Sequence, residues 1–242
     1  MNNLGILTIL SLAPSWVLQE PDTLSLLCEG ASSVITVDMV YQAEGETHVS
    51  WEFESTETLW DYNVRHSADL ERYGQWLQAR RGEVHESPKL SDLEHKINAA
   101  VSQGRFGVTR PLNCLEATLL SRQVRLTGPA QMREFVAYVL RRDAPDRTKV
   151  YWLSGPGEFP PKADRVKPLI VKDVQTGWRL YAIIHNHTGP APVAAPSGSD
   201  AHYGLSWADE GAERFIVLGG LRAFDVSSTE LRRFMRDAGD GN

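Results

Sequence analysis

Segments patterned for strands and segments patterned for helices alternate along this 242-residue chain, which predicts an α/β (α+β) protein. Three observations carry that expectation. Residues 33–55 alternate with a period of two around a Glu-Gly turn, residues 67–81 and 91–102 repeat apolar positions at three-four spacing, and the two patterns interleave again from residue 112 onward. A hydrophobic fraction of 42% with 23% charged residues is ordinary globular composition.

The elements follow in order. Val34, Thr36 and Asp38 alternate with Ile35, Val37 and Met39, and the pattern resumes after Ala43-Glu44-Gly45 as Val49, Trp51 and Phe53, which predicts a β-hairpin. Leu70, Tyr73, Trp76 and Leu77 mark a helix over 67–81, with Ser67 as N-cap and Gly82 as stop. Leu93, Ile97, Ala100 and Val101 mark a second helix over 91–102, ended by Gly104. A boundary is expected near 103–111. Leu115, Leu119 and Val124 then predict a helix over 112–125, interrupted at Thr127-Gly128-Pro129. The run Phe135–Leu140 reads as a strand or, through Met132, Phe135, Val136, Val139 and Leu140, as an amphipathic helix. Lys149–Leu153 reads as a strand, and Leu169–Val174 and Trp178–Ile184 as two extended segments around Gln175-Thr176-Gly177. A helix is expected over 201–208 and a strand pair over 214–218 and 223–226. A closing helix over 228–237 would be capped by Ser228 or Thr229.

The chemistry concentrates at residues 185–200. His185 and His187 follow the apolar run Leu180–Ile184, and Asp200 comes back after a loop rich in Pro, Gly and Ser. Side chains two apart on a strand share a face, so both imidazoles can grip one ion. An aspartate as third ligand leaves the fourth tetrahedral position to water, as in catalytic zinc sites. His-x-His, nine residues and Ser-x-x-Asp together resemble the signature of the JAMM (MPN+, or JAB-domain) zinc metallopeptidases.

The resemblance covers the last 130 or so residues and rests on this motif. It implies a mixed sheet flanked by helices in a deaminase-like layered fold. It also implies Zn2+ held by His185, His187 and Asp200, with Ser197 donating to the oxyanion and an upstream Glu serving as general base. Read from the residues alone, Ser197 is also the N-cap of a helix beginning near Gly198, and the two roles are compatible. Glu134 fits that Glu, since it follows a helix, opens an apolar run and has a small residue, Ala137, three places on. Glu116 and Glu158 are the other candidates. His202 reads as a substitute ligand or supporting group or, alternatively, as a residue of the following helix facing away from the metal, and Trp178 as a wall of the site or a core residue. Thr188 stands where the family often has Pro.

By resemblance the function is hydrolysis of a peptide or isopeptide bond in a protein or peptide substrate, a ubiquitin-like one among the candidates. The insertions by which deubiquitinating relatives grip ubiquitin are not recognisable here. Two alternatives stay open: a catalytically silent MPN-type protein-binding scaffold, and a small-molecule amidase on the same site. A formal net charge of -6 argues against a dedicated nucleic-acid partner.

The expected division is a signal-like apolar leader (1–19), an N-terminal hairpin-plus-helices extension (20–104) and a JAMM-like metallohydrolase domain (105–242). Leu4–Val17 is too short to span a bilayer and resembles the apolar core of a secretory signal, although Met1-Asn2-Asn3 supplies no cation. A buried strand or short helix is the other reading. The expectation is an exported protein with no transmembrane span. Cys28 and Cys114, the two cysteines, form one disulfide in an oxidising compartment or stay as two small buried thiols in a reducing one.

Overall fold

A computed structural model of the chain describes residues 24, 26–28, 34–43, 46–54, 57–81, 90–144, 146–155, 162–188 and 195–239. The expected leader, Gly82 and Glu158 lie outside them. In chain order the elements are β1 (Val34–Ala43), β2 (Glu46–Phe53), α1 (Ala68–Ala79), α2 (Asp92–Ser102), β3 (Val108–Pro111), α3 (Cys114–Thr127), β4 (Phe135–Asp143), β5 (Asp146–Ser154), α4 (Lys167–Gln175), β6 (Arg179–Asn186), α5 (Gly198–Asp209), β7 (Arg214–Gly219), β8 (Arg222–Ser227) and α6 (Ser228–Asp237). The mixed α/β class is as expected.

The strands form one sheet in the order β1-β2-β5-β4-β6-β7-β8-β3. β6 and β7 run parallel, and the other neighbours run antiparallel. Strands from both sides of residue 104 therefore share a single sheet. Helix α3 and the apolar side of α1 cover one face, over Phe135, Ala137, Val139 and Ile184. Helices α2, α4, α5 and α6 cover the other, over Val136, Tyr138, Leu140 and Ile183.

Strand β4 sits fourth in the order, and every residue from Phe135 to Leu140 is buried. Burying such a side chain contributes roughly 1.5–3 kcal/mol. A strand covered on both faces carries a continuous apolar run rather than an alternating one, so the helical reading of 132–140 is set aside. Arg122 of α3 is buried, its guanidinium lying 5.0 Å from the Trp51 ring and 4.6 Å from that of Trp152. This cation–π contact packs α3 onto β2 and β5 together. Among the described residues no helix is long and apolar enough to cross a membrane.

Three expectations need correction. Leu169–Val174 is helical rather than extended, within α4. Pro168 sits in its first turn, where a missing N–H costs nothing, and Val166 and Ile170, one turn apart, fill the core. The boundary region holds a strand, β3, paired with β8. The cap of α6 is Ser227, whose side chain accepts from the Glu230 amide.

Cys28 and Cys114 form a disulfide, with Cα atoms 5.1 Å apart. The segment around Cys28 is further held by Leu27, whose N–H donates to Thr118 Oγ1 at 3.0 Å and whose carbonyl accepts from the Arg65 N–H at 2.7 Å.

Candidate metal centre

Strand β6 delivers the two imidazoles. His185 pairs with Val136 on one side and Val217 on the other, which places its side chain on the face covered by α5 and α6. Its ring centroid lies 5.5 Å from that of Phe215. His187 follows the last residue of β6, and its N–H donates to the Leu218 carbonyl at 2.8 Å. That bond prolongs the ladder toward β7 and keeps His187 on the same side as His185, the ring centroids 5.0 Å apart.

Helix α5 delivers the carboxylate. Ser197 is its N-cap and Asp200 its third residue, forming a reciprocal capping box. The Asp200 N–H donates to Ser197 Oγ at 3.1 Å, while Ser197 N–H and Oγ each donate to Asp200 Oδ2 at 2.7 Å. Gly204, one turn further on, lets the helix lie close to the sheet, since a Cβ there would stand 2.8 Å from Phe215.

The three side chains converge. His187 Nε2 lies 2.8 Å from Asp200 Oδ2, and His185 Nε2 lies 3.4 Å from Asp200 Oδ1. Candidate ligand atoms of all three residues fall within 4.8 Å of one another. Ligands at ordinary zinc distances stand roughly 3.3 Å apart along the edges of their tetrahedron, so the group can hold a metal ion after small side-chain adjustments. The buried Nε2 of His185 has no hydrogen-bond partner, a costly condition for a polar atom that an ion would relieve.

The electrostatics favour ligation. Burial pushes the His185 imidazole down to about 4 against the pull of the Asp200 charge, so it is neutral, with a free lone pair, near pH 7. His187 is raised: burial would lower it, but the hydrogen bond and charge of Asp200, with the charge of Glu134, outweigh burial. For Asp200 burial acts upward, yet the His187 hydrogen bond, both imidazoles and Ser197 hold it well below the usual carboxylate range.

Glu134 stands immediately before β4, half-buried, on the side of the sheet that Val136 and His185 share. Ser197 Oγ is engaged in the cap and lies 2.8 Å from Ser199 Oγ. Glu116 is elsewhere. It is buried at the start of α3, on the other face, and bound by Arg110 and the Asn113 N–H. His202 is exposed on α5 and outside the ligand group. Trp178 is a core residue beside Lys149, at the opposite end of β6 from His185.

Sequence reasoning passed over Asn186, between the two histidines. It is fully buried on the α3 side; its Oδ1 accepts from the Phe135 N–H at 2.7 Å and its Nδ2 donates to the Arg133 carbonyl at 3.2 Å. Gln123 of α3 donates to the same carbonyl at 3.1 Å. The only advance signal was an amide side chain where strand alternation expects an inward-facing residue.

Comparison of the chain with protein-family models, with curated proteins and with solved structures gives no match.

Proposed function

We propose that this protein is a zinc-dependent hydrolase of amide bonds, acting on a peptide or isopeptide through a JAMM-like site. The observation that carries the reading is the convergence of His185, His187 and Asp200 from a strand end and a helix start, around a buried imidazole nitrogen that makes no hydrogen bond. Zinc held there would lower the pKa of a coordinated water to about 7 and polarise the scissile carbonyl.

The chain's own groups do the rest. Glu134 takes the proton from the water and returns it to the leaving amine. Its charge already reaches the site, as its effect on His187 indicates. Ser197 gives up its hydroxyl bond to Asp200 Oδ2 and donates to the developing oxyanion instead. The Cys28–Cys114 disulfide supports an exported enzyme.

Metal analysis with an unbiased peptide-library cleavage assay tests the reading. A single zinc ion per chain, lost in His185→Ala, and cleavage abolished by a chelator and restored by zinc are expected. Protein that takes up no zinc, or cleavage indifferent to the chelator, overturns it. The library also reports whether the scissile bond lies in a peptide at all, which separates a peptidase from a small-molecule amidase.

A further inference from the structure

We propose that Asn186 is a positioning residue for the general base: from behind the sheet it fixes the backbone on both sides of Glu134. The proposal rests on the assignment of Glu134 as base.

The β4–β6 ladder runs from Arg141↔Arg179 to Val136↔His185. One step further, Phe135 would pair with Asn186 through their main chains. Instead the chain leaving β6 follows β7, as the His187-to-Leu218 bond shows. The Phe135 amide is thereby left on a residue with no exposed surface, where an unpaired donor is costly. The Asn186 side chain takes over the ladder's role. Its carbonyl accepts from Phe135 N–H and its amino group donates to Arg133 O. The polarity of the two partners fixes which end of the amide is which, because the reversed orientation would set donor against donor and acceptor against acceptor.

Arg133 and Phe135 are the two neighbours of Glu134. The residue whose charge acts on His187 is thus pinned from the opposite side, with Gln123 supplying a second donor to the Arg133 carbonyl. The same short segment that presents both imidazoles also sets the base, so a shift of β6 carries ligands and base together. An apolar residue at 186 would fill the space yet leave the Phe135 N–H unmet and the Arg133 carbonyl with Gln123 alone. Aspartate would keep the acceptor for Phe135 and set a carboxylate oxygen against the Arg133 carbonyl.

The experiment compares wild type, Asn186→Ala and Asn186→Asp, all zinc-loaded, by crystallography and by kinetics on the best peptide from the library assay. In both variants the three ligands keep their positions and zinc content is unchanged, whereas the Glu134 carboxylate moves by about 1 Å or more; kcat falls about 10- to 100-fold with KM nearly constant, since displacements of that size cost rate rather than binding. In a Glu134→Gln background, Asn186→Asp causes no further loss, which general damage to the fold would not reproduce. Should the alanine variant fail to fold, the near-isosteric aspartate carries the comparison. A Glu134 carboxylate unmoved in the variants, or unchanged kcat where Glu134→Gln abolishes turnover, overturns the positioning role alone. Full turnover in Glu134→Gln overturns the base assignment, and the positioning role with it.

Discussion

Arg110 holds Glu116 with two guanidinium nitrogens, Nη1 to Oε2 at 2.7 Å and Nη2 to Oε1 at 2.6 Å. The same arginine donates to Asp225 Oδ2, whose other oxygen accepts from Arg214, so β3, β8, β7 and the start of α3 share one ionic network. Removing one partner of a buried pair strands the other charge. Glu116→Ala is therefore expected to cost about 3 kcal/mol in urea denaturation while zinc content, and turnover per folded molecule, stay unchanged. Loss of turnover in a variant that remains folded would instead make Glu116 the base.

Substitution at the ligands separates metal binding from folding. His185→Ala abolishes zinc uptake, with helical content by circular dichroism preserved. Asp200→Asn keeps an acceptor for the Ser197 cap, so α5 loses no more than about 1 kcal/mol. Its zinc affinity, read by chelator competition, falls more than about 100-fold, beyond what outer-shell changes cost. Affinity close to wild type would remove Asp200 from the ligand set.

The metal-free protein should lose stability in acid. His185 titrates at about 4 when folded, against 6.5 in the unfolded chain. Its contribution is complete above 6.5 and gone below about 4, a loss of about 3 kcal/mol across that window. His187 opposes this, because its raised pKa gives stability present below 6.5 and lost as pH rises through the folded value. The expected urea midpoint of chelated protein falls between pH 6.5 and 4, and His185→Gln flattens that limb. A midpoint that rises on acidification contradicts the burial assigned to His185.

The disulfide closes a span of 86 residues, for which chain entropy gives about 4.6 kcal/mol. Cys28→Ser with Cys114→Ser should lower the thermal midpoint by several degrees and leave zinc binding intact. Free thiols in denatured, unreduced wild-type protein would refute the pairing.

The candidate ligand group was legible in the sequence because its signals are local: a period of two, an apolar run that ends at the first histidine, and a cap four residues from one end to the other at Ser197–Asp200. What escaped depends on tertiary context. β3 is four residues with Val108 exposed, so no buried alternation announces it. In α4, Val171 and Val174 face solvent, and these β-branched residues imitate a strand. The run from Phe135 to Leu140 satisfies both periodicities because both faces of β4 are covered. The hydrogen bonds of Asn186 gave no more than a faint signal, since its partners are main-chain groups about fifty positions away.

The parallel pairing of β6 with β7 has a geometric corollary. Two adjacent strands that point the same way must be joined across one surface of the sheet, and here α5 is the bridge. The hand of such crossovers is almost invariant, so the surface receiving the helix, and with it the aspartate, follows once the two strands lie side by side. A slip of one residue in β6 would turn both histidines to the reverse surface, leaving nitrogen and oxygen donors separated by the full thickness of the sheet.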